Sequence, residues 1–338
     1  MTALHQLIDL LSDQKFHSGT QLGAQLHTSR SNVWKMISAL KQKGLDIEAV
    51  SNKGYRLSTP IELLSHHDIT SQLDTHGQSY ADHMHIFPTI NSTNTFALEQ
   101  LRKGYRKPMV CFAEEQTAGR GRRGNHWASP FGQNIYCTMV DFLPPDSVDF
   151  SSISLCISIA IADCLSHHTA NSAIQVKWPN DILCNNQKIA GILIESVTEA
   201  NAQIPVVIGM GINLNMATNH DPSIEQAWTN LVQHSPQPIS RNTLTAQLIN
   251  HVSKSIDIYK KKGFAAFQPS WQAYDALKNK SIVLKQGTDT ISGIARGVSS
   301  KGELIIERSP TDFHHASYGV AHSVRHTHTT KGHTAQTP

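Results

Sequence analysis

Two short segments of this 338-residue chain concentrate the side chains that handle anions. The first is Gly119-Arg120-Gly121-Arg122-Arg123-Gly124, three guanidinium groups on a glycine-relieved backbone. Guanidinium groups neutralise phosphate and carboxylate with forked hydrogen bonds, so the segment reads as a loop that folds over an anion. An RNA-binding loop is the competing reading. The Gly-x-Gly-x-x-Gly spacing also matches the dinucleotide fingerprint, and a strand-like run, Met109 to Ala113, precedes it. That fingerprint must open a helix whose N-terminus meets a pyrophosphate. Here Asn125-His126-Trp127-Ala128-Ser129-Pro130-Phe131-Gly132 follows, which cannot hold a long helix. A P-loop is excluded because no Gly-Lys-Ser/Thr closes the segment.

The second segment is Lys177-Trp178-Pro179-Asn180-Asp181, followed by Lys188-Ile189-Ala190-Gly191-Ile192-Leu193-Ile194-Glu195. Asp181 offers Mg²⁺ a hard oxygen ligand, with a lysine on either side of it in the chain. Lys188 opens an apolar, strand-like run, where a partly buried ammonium needs an anionic partner. A structural salt bridge is the competing reading. The five cysteines (Cys111, Cys137, Cys156, Cys164, Cys184) are odd in number, lack Cys-x-x-Cys spacing and read as buried free thiols. His326, His328 and His333 stand in a polar, aperiodic stretch, read as a disordered tail over 326–338 rather than a metal site.

These groups must be positioned by two or three domains, given the chain length and 39% hydrophobic content. Leu4, Leu7, Ile8 and Leu11 recur at helical spacing. A short helix follows over Thr20 to Leu26. Ser29 or Ser31 caps a third helix that carries Val33, Ile37 and Leu40 on one face and ends at Gly44. Alternation at Leu45, Ile47 and Ala49, the turn Ser51-Asn52-Lys53-Gly54, and Tyr55 with Leu57 predict a hairpin. Helix, turn, helix and hairpin together make a winged helix-turn-helix over residues 1–60. Those residues hold seven Lys/Arg against four Asp/Glu, an excess equal to the net charge of +3 on the whole chain. Arg30, Ser31, Asn32 and Lys35 on the third helix are the types that reach base edges and phosphates from the major groove. The competing reading is a solvated face on a protein-docking module.

Beyond the linker at Ser58-Thr59-Pro60, Met109 to Ala113, Asn134 to Val140 and Val206 to Ile208 read as strands. Ile153 to Leu165 and Leu244 to Tyr259 read as helices, giving an α/β or α+β body. From Lys280, short alternating runs (Ser281 to Lys285, Thr290 to Arg296, Glu303 to Glu307) describe a small β-barrel-like domain, and Pro310 to Ser317 shows no strand alternation. The longest apolar run, Ile153 to Leu165, is broken by Ser154, Ser158 and Asp163 and falls short of the roughly 20 residues of a span. No membrane partner is expected. Met1 to Leu11 lacks a basic region and a cleavage site, so a cytoplasmic protein is expected.

Ser92-Thr93-Asn94, Gln116 with the Gly119 to Gly124 loop, Trp127 to Gly132, Lys177 to Asp181, Lys188 to Gly191 and Gly209-Met210-Gly211-Ile212-Asn213 come in the order and approximate spacing of bacterial biotin protein ligases. With the N-terminal winged helix, the chain resembles the bifunctional class that also represses the biotin operon, from residue 1 to about 308. The resemblance implies an α+β multidomain chain. A winged helix-turn-helix at 1–60 is followed by a mixed α/β ligase domain at 66–275, related to class II synthetase-like folds, and a small SH3-like β domain at 276–325. It implies joining of biotin and ATP to biotinyl-5'-AMP and pyrophosphate, with Mg²⁺. Biotin then passes to a lysine of the biotin carboxyl carrier protein of acetyl-CoA carboxylase. Operator DNA is bound by a homodimer loaded with biotinyl-AMP.

By the same resemblance Ser92, Thr93, Asn94 and Gln116 hold the biotin head group. Arg120, Gly121 and Arg122 close on the adenylate, and Lys188 contacts carboxylate and α-phosphate, so that Lys188, Arg122 and Arg120 carry the chemistry. Asn180 and Asp181 position nucleotide and metal, Asn213 lies near ATP, and Trp228 walls the adenine. The alternatives are a lipoate-type ligase and a biotin-sensing transcription factor without turnover. One departure stands out: the closing Gly-Gly-Glu-apolar-Ser-apolar-Arg strand is represented by Gly319-Val320-Ala321-His322-Ser323-Val324-Arg325, with Ala321 in place of the acid.

Overall fold

The computed structural model describes residues 3–145, 149–170, 172–197, 203–216 and 226–324, so the histidine-bearing tail expected from 326 lies outside the described residues. Helix α1 (Ala3–Leu11) buries Leu7, Ile8 and Leu11. Helix α2 (Gly19–Gln25) starts at a reciprocal cap in which Ser18 and Gln21 satisfy each other's backbone N–H. Helix α3 (Arg30–Gln42) is capped by Ser29, whose hydroxyl accepts from Asn32 N. Ser31 is therefore inside the first turn, its hydroxyl 2.9 Å from that of Ser29. Strands β1 (Ile47–Val50) and β2 (Gly54–Leu57) form the expected wing, Val50 opposite Gly54. His17 and Tyr55 exchange both backbone hydrogen bonds at 2.9 Å and tie the wing to the segment before α2.

The small apolar core of this module is not closed by the module alone. Phe131, which follows the arginine loop in the chain, is buried within it, and Ile61 and Leu63 of the linker pack against it. At the same junction Lys43 pairs with Glu115 and donates to Thr89 Oγ1 at 2.9 Å. The linker continues into helix α4 (His66–Thr70).

The body is a seven-stranded sheet built from β3 (Met84–Phe87), β4 (Met109–Ala113), β5 (Ile135–Leu143), β6 (Ile174–Lys177), β7 (Asp181–Cys184), β8 (Gln187–Ser196) and β9 (Ile204–Ile212). Its order is β3-β4-β5-β9-β8-β7-β6, antiparallel except for the β3–β4 pair. Strand β5 is buried along its whole length because both faces are covered. Cys137 and Met139 meet the large core formed with helices α6 (Phe150–Ser166) and α7 (Arg241–Lys262). Val140 and Phe142 point the other way, onto helix α5 (Thr93–Arg102). The expected strands and helices coincide with these elements, except that Asn134 precedes β5 and Leu26 follows α2 by one residue, and the five cysteines are free and buried.

After helix α8 (Gln268–Tyr274), strands β10 (Ser281–Gln286), β11 (Asp289–Val298), β12 (Leu304–Ser309), β13 (Asp312–Ala316) and β14 (Val320–Ser323) form an antiparallel sheet ordered β13-β12-β11-β10-β14. Strand β13 corrects the reading of Pro310 to Ser317. It is an edge strand whose Phe313 and His315 are exposed, so backbone pairing with β12 holds it without an apolar alternation. The β domain docks on the body through Trp178 Nε1, which donates to Gly302 O at 3.1 Å, and Ser151 Oγ, which donates to Ser317 O at 2.7 Å.

Candidate active site

The α5-facing side of the sheet leaves a cavity of about 540 Å³. Beneath it runs a single cross-strand row, Tyr136, Gly211, Gly191, Asp181 and Lys177, each residue opposite the next in register, and all but the buried Tyr136 line the cavity. Residues directly opposite in a sheet share a face, so the row places glycine at its centre and charge at one end. A methyl group on Gly211 would sit 2.3 Å from Trp127 Cε2, and one on Gly209 would sit 2.2 Å from Asn94 Oδ1. The missing side chains are what admit Trp127 and Asn94 to the floor. The indole Nε1 of Trp127 is buried with no hydrogen-bond partner among the described residues.

One end of the cavity is an amide and hydroxyl network. Ser92 caps α5 through its side chain, which aims the first turn at the cavity. Thr93 donates to Gln116 Oε1 from its backbone N at 2.9 Å and its hydroxyl at 3.1 Å, and Gln116 Nε2 donates to Ser129 Oγ at 3.0 Å. Asn94 donates to Glu195 Oε2 at 2.7 Å and receives the Thr138 hydroxyl at 2.6 Å. Such a wall presents donors and acceptors side by side.

The other end is cationic. The Gly119–Gly124 loop forms a narrow hairpin: Trp127 N donates to Gly119 O at 2.9 Å and Gly121 N to Asn125 O at 2.7 Å. Only a three-residue 3₁₀ turn, Arg122–Gly124, stands where a dinucleotide fold needs a helix. Arg120 Nη2 donates to Glu195 at 3.0 Å, and Arg122 Nη1 to Asn180 Oδ1 at 3.1 Å. Burial pulls the Arg122 pKa below its ordinary value, helped by neighbouring Arg123 and opposed by Asp181.

Lys177 and Asp181 face each other across the β6–β7 turn, whose Trp178–Pro179 peptide is cis. Asn180 in that turn is fixed by donating to Ile192 O at 2.7 Å. Lys188 Nζ lies 2.7 Å from Asp181 Oδ1 and 5.5 Å from the centroid of the Trp127 ring. Lys188 reaches this face because the register shifts between Ile182 and Leu183. Ile189 is the extra residue, and it and Ala190 both bury into the opposite core. The bulge re-aims the lysine. Burial also depresses the Lys177 pKa, with Asp181 opposing and Lys188 adding to the shift.

Asn213 donates to Thr229 O at 3.2 Å, and Trp228 is bridged to Lys188 through the backbone, so both stand on the cavity wall with Asn180. Ser92, Thr93, Asn94, Gln116, Arg120, Gly121, Arg122, Asp181 and Lys188 line the same cavity. Arg30, Ser31, Asn32 and Lys35 do not. They are exposed on the first turns of α3, where Asn32 donates to Thr28 Oγ1 at 2.9 Å. Gly319, Val320 and Ala321 bring β14 to the cavity, so the acid-for-alanine departure leaves a neutral wall there.

Residue-by-residue reading missed Thr138, Glu195 and the role of Trp127. The first two are ordinary strand residues whose significance comes from register. For Trp127 a signal existed: an aromatic three residues beyond the arginine loop, with Gly191 in one later strand and Gly209 and Gly211 in the next.

The comparisons agree with this arrangement. A profile for the biotin/lipoate A/B protein ligase family matches residues 86–213, and one for an HTH domain matches residues 3–56. The bifunctional ligase/repressor BirA of Escherichia coli (strain K12) is 37% identical over 303 residues, 90% of this chain and 92% of that protein. BirA of Bacillus subtilis (strain 168) is 30% identical over 311 residues, covering 90% and 94%. The solved structure of biotin protein ligase from Aquifex aeolicus in complex with biotin and ATP covers 72% of this chain and 99% of its own, with a TM-score of 0.60 at 22% identity, and shares the fold. With a helix-turn-helix module, a cavity polar at one end and cationic at the other, and similarity over nearly its full length, the chain belongs to the family of bifunctional ligase/repressors BirA.

Proposed function

We propose that this chain, acting in the cytoplasm, joins biotin to ATP and transfers it to a lysine of the biotin carboxyl carrier protein of acetyl-CoA carboxylase. Loaded with biotinyl-5'-AMP, it dimerises and represses the biotin operon by binding its operator. The carrying observation is the polarity of one slot: an amide network at one end, and Arg122, Lys177 and Lys188 around a single carboxylate at the other.

A ureido ring needs donors and acceptors together, which Ser92, Thr93, Asn94 and Gln116 supply. The biotin carboxylate then faces Lys188 and attacks the α-phosphorus of ATP; pyrophosphate leaves, and the mixed anhydride remains. Two anions approach in this step, so neutralisation and alignment dominate the barrier. Lys188 serves both anions by exchanging its bond to Asp181 for them. Arg120 and Arg122, on the hairpin with Gly121, cover the anhydride against water. Asn180, Asn213 and Trp228 hold the nucleotide. The amine of the acceptor lysine next attacks the biotinyl carbonyl, and AMP departs.

Among the described residues Asp181 is the only carboxylate on the cavity wall, and they contain no cluster of three metal-binding side chains. Asp181 would hold, through a hard carboxylate oxygen, a Mg²⁺ carried in on the triphosphate. When bound, the ion would neutralise phosphate charge. The test is exchange of labelled pyrophosphate into ATP by the purified chain. Exchange dependent on biotin is expected. Dependence on lipoate would make it a lipoate-type ligase, and dependence on neither would make it a biotin sensor without turnover.

A further inference from the structure

Among the described residues the most exposed large apolar side chain is Trp34, at 59%, and it stands on α3. The packing of α3 does not account for it. Val33, Ile37 and Leu40 already form the buried stripe, while Ser31, Trp34, Lys35 and Ser38, at i, i+3, i+4 and i+7, make the outward face. Between Asp13 and Asp46 the chain has no acid and five cations, Lys15, Arg30, Lys35, Lys41 and Lys43. Of these Lys43 is committed to Glu115, whereas no carboxylate pairs with Arg30, Lys35 or Lys41 among the described residues.

An indole in such a field has an anionic partner with apolar edges. DNA has both, phosphates outside and thymine methyl groups on the major-groove floor. A second copy of this chain fits poorly, because two α3 faces would oppose cations with no acid to relieve them. Resting on the DNA-binding reading above, we propose that Trp34 is a base-reading contact. Its indole packs on a thymine methyl in the major groove while Arg30 and Lys35 beside it hold phosphates. Phosphate contacts position a protein on the duplex, and base contacts specify the sequence. Trp34 and the cations therefore separate by measurement.

The experiment uses the full chain with biotin and ATP. A pool of random duplexes is enriched by the wild type, and affinities are then measured for the enriched duplex and a scrambled one across a salt series. Trp34→Ala is expected to weaken the enriched duplex by about tenfold or more and to lose a thymine preference in each half-site, with an unchanged salt slope. Lys35→Ala should weaken both duplexes alike and lower the salt slope by about one. A thermal melt of Trp34→Ala at the wild-type position excludes misfolding, since the side chain is exposed. If Trp34→Ala keeps the wild-type motif and affinity, this inference is wrong while DNA binding stands. The inference also fails if the variant changes only self-association. A wild type that enriches no motif would overturn both readings together.

Discussion

Lys188 is the residue on which the chemistry turns. Its ammonium is partly buried and paired with Asp181, so the site holds a positive charge where the reacting carboxylate and phosphate must meet. Charge that is preorganised for the transition state contributes most to rate, and removing one such group costs about 100- to 1,000-fold. Lys188→Ala is expected to lose biotin-dependent pyrophosphate exchange to that extent while biotin affinity, measured by calorimetry, falls much less. Near-normal exchange in the variant would remove Lys188 from the mechanism. At this scale the sequence was informative wherever chemistry shows in residue type, as for Arg120, Arg122, Asp181 and Lys188. It was silent on Glu195, which binds Asn94 and Arg120 together, because a lone glutamate at a strand end carries no mark of its partners.

At the scale of elements, the segment after the arginine loop has two anchors. Trp127 lies on the glycine floor of the cavity, and Phe131, four residues on, is buried in the core of the winged helix. Deleting a buried phenyl ring costs about 3–5 kcal/mol, from lost transfer energy and the cavity left behind. Phe131→Ala is expected to destabilise the N-terminal module by that amount, read as a lower urea midpoint for hydrogen-exchange protection of the α1 to α3 amides. An unchanged midpoint would mean that the module does not need the body. Periodicity located α1, α3 and the wing hairpin, but it could not show that a residue more than 70 positions beyond β2 completes their core.

Across the whole molecule, the ligand cavity and the DNA face are joined through this segment and through Lys43 with Glu115, which is adjacent in sequence to Gln116 on the cavity wall. Two sites are coupled when ligands at each favour the same arrangement, and the effect is typically about 5- to 150-fold in affinity. Biotin with ATP is expected to raise operator affinity within that range in a gel shift. Sedimentation should show a dimer under the same conditions, since two recognition helices meet two half-sites. Equal affinity with and without the ligands would break the link between catalysis and repression.

The sequence alone determined the module order, the anion-handling segments and the rejection of a dinucleotide fold, because helix caps, alternation and proline act over a few residues and leave local traces. Tertiary structure alone decided which residues meet. The row from Tyr136 to Lys177 depends on register across five strands. The aim of Lys188 depends on one extra residue in β8, without which the side chain would enter the opposite core. Strand β13 and the placing of Ala321 on the cavity wall were likewise settled by pairing and docking, which no local pattern encodes. The guanidinium loop and the lysine pair name the chemistry; the glycine-floored sheet brings them within reach of one substrate.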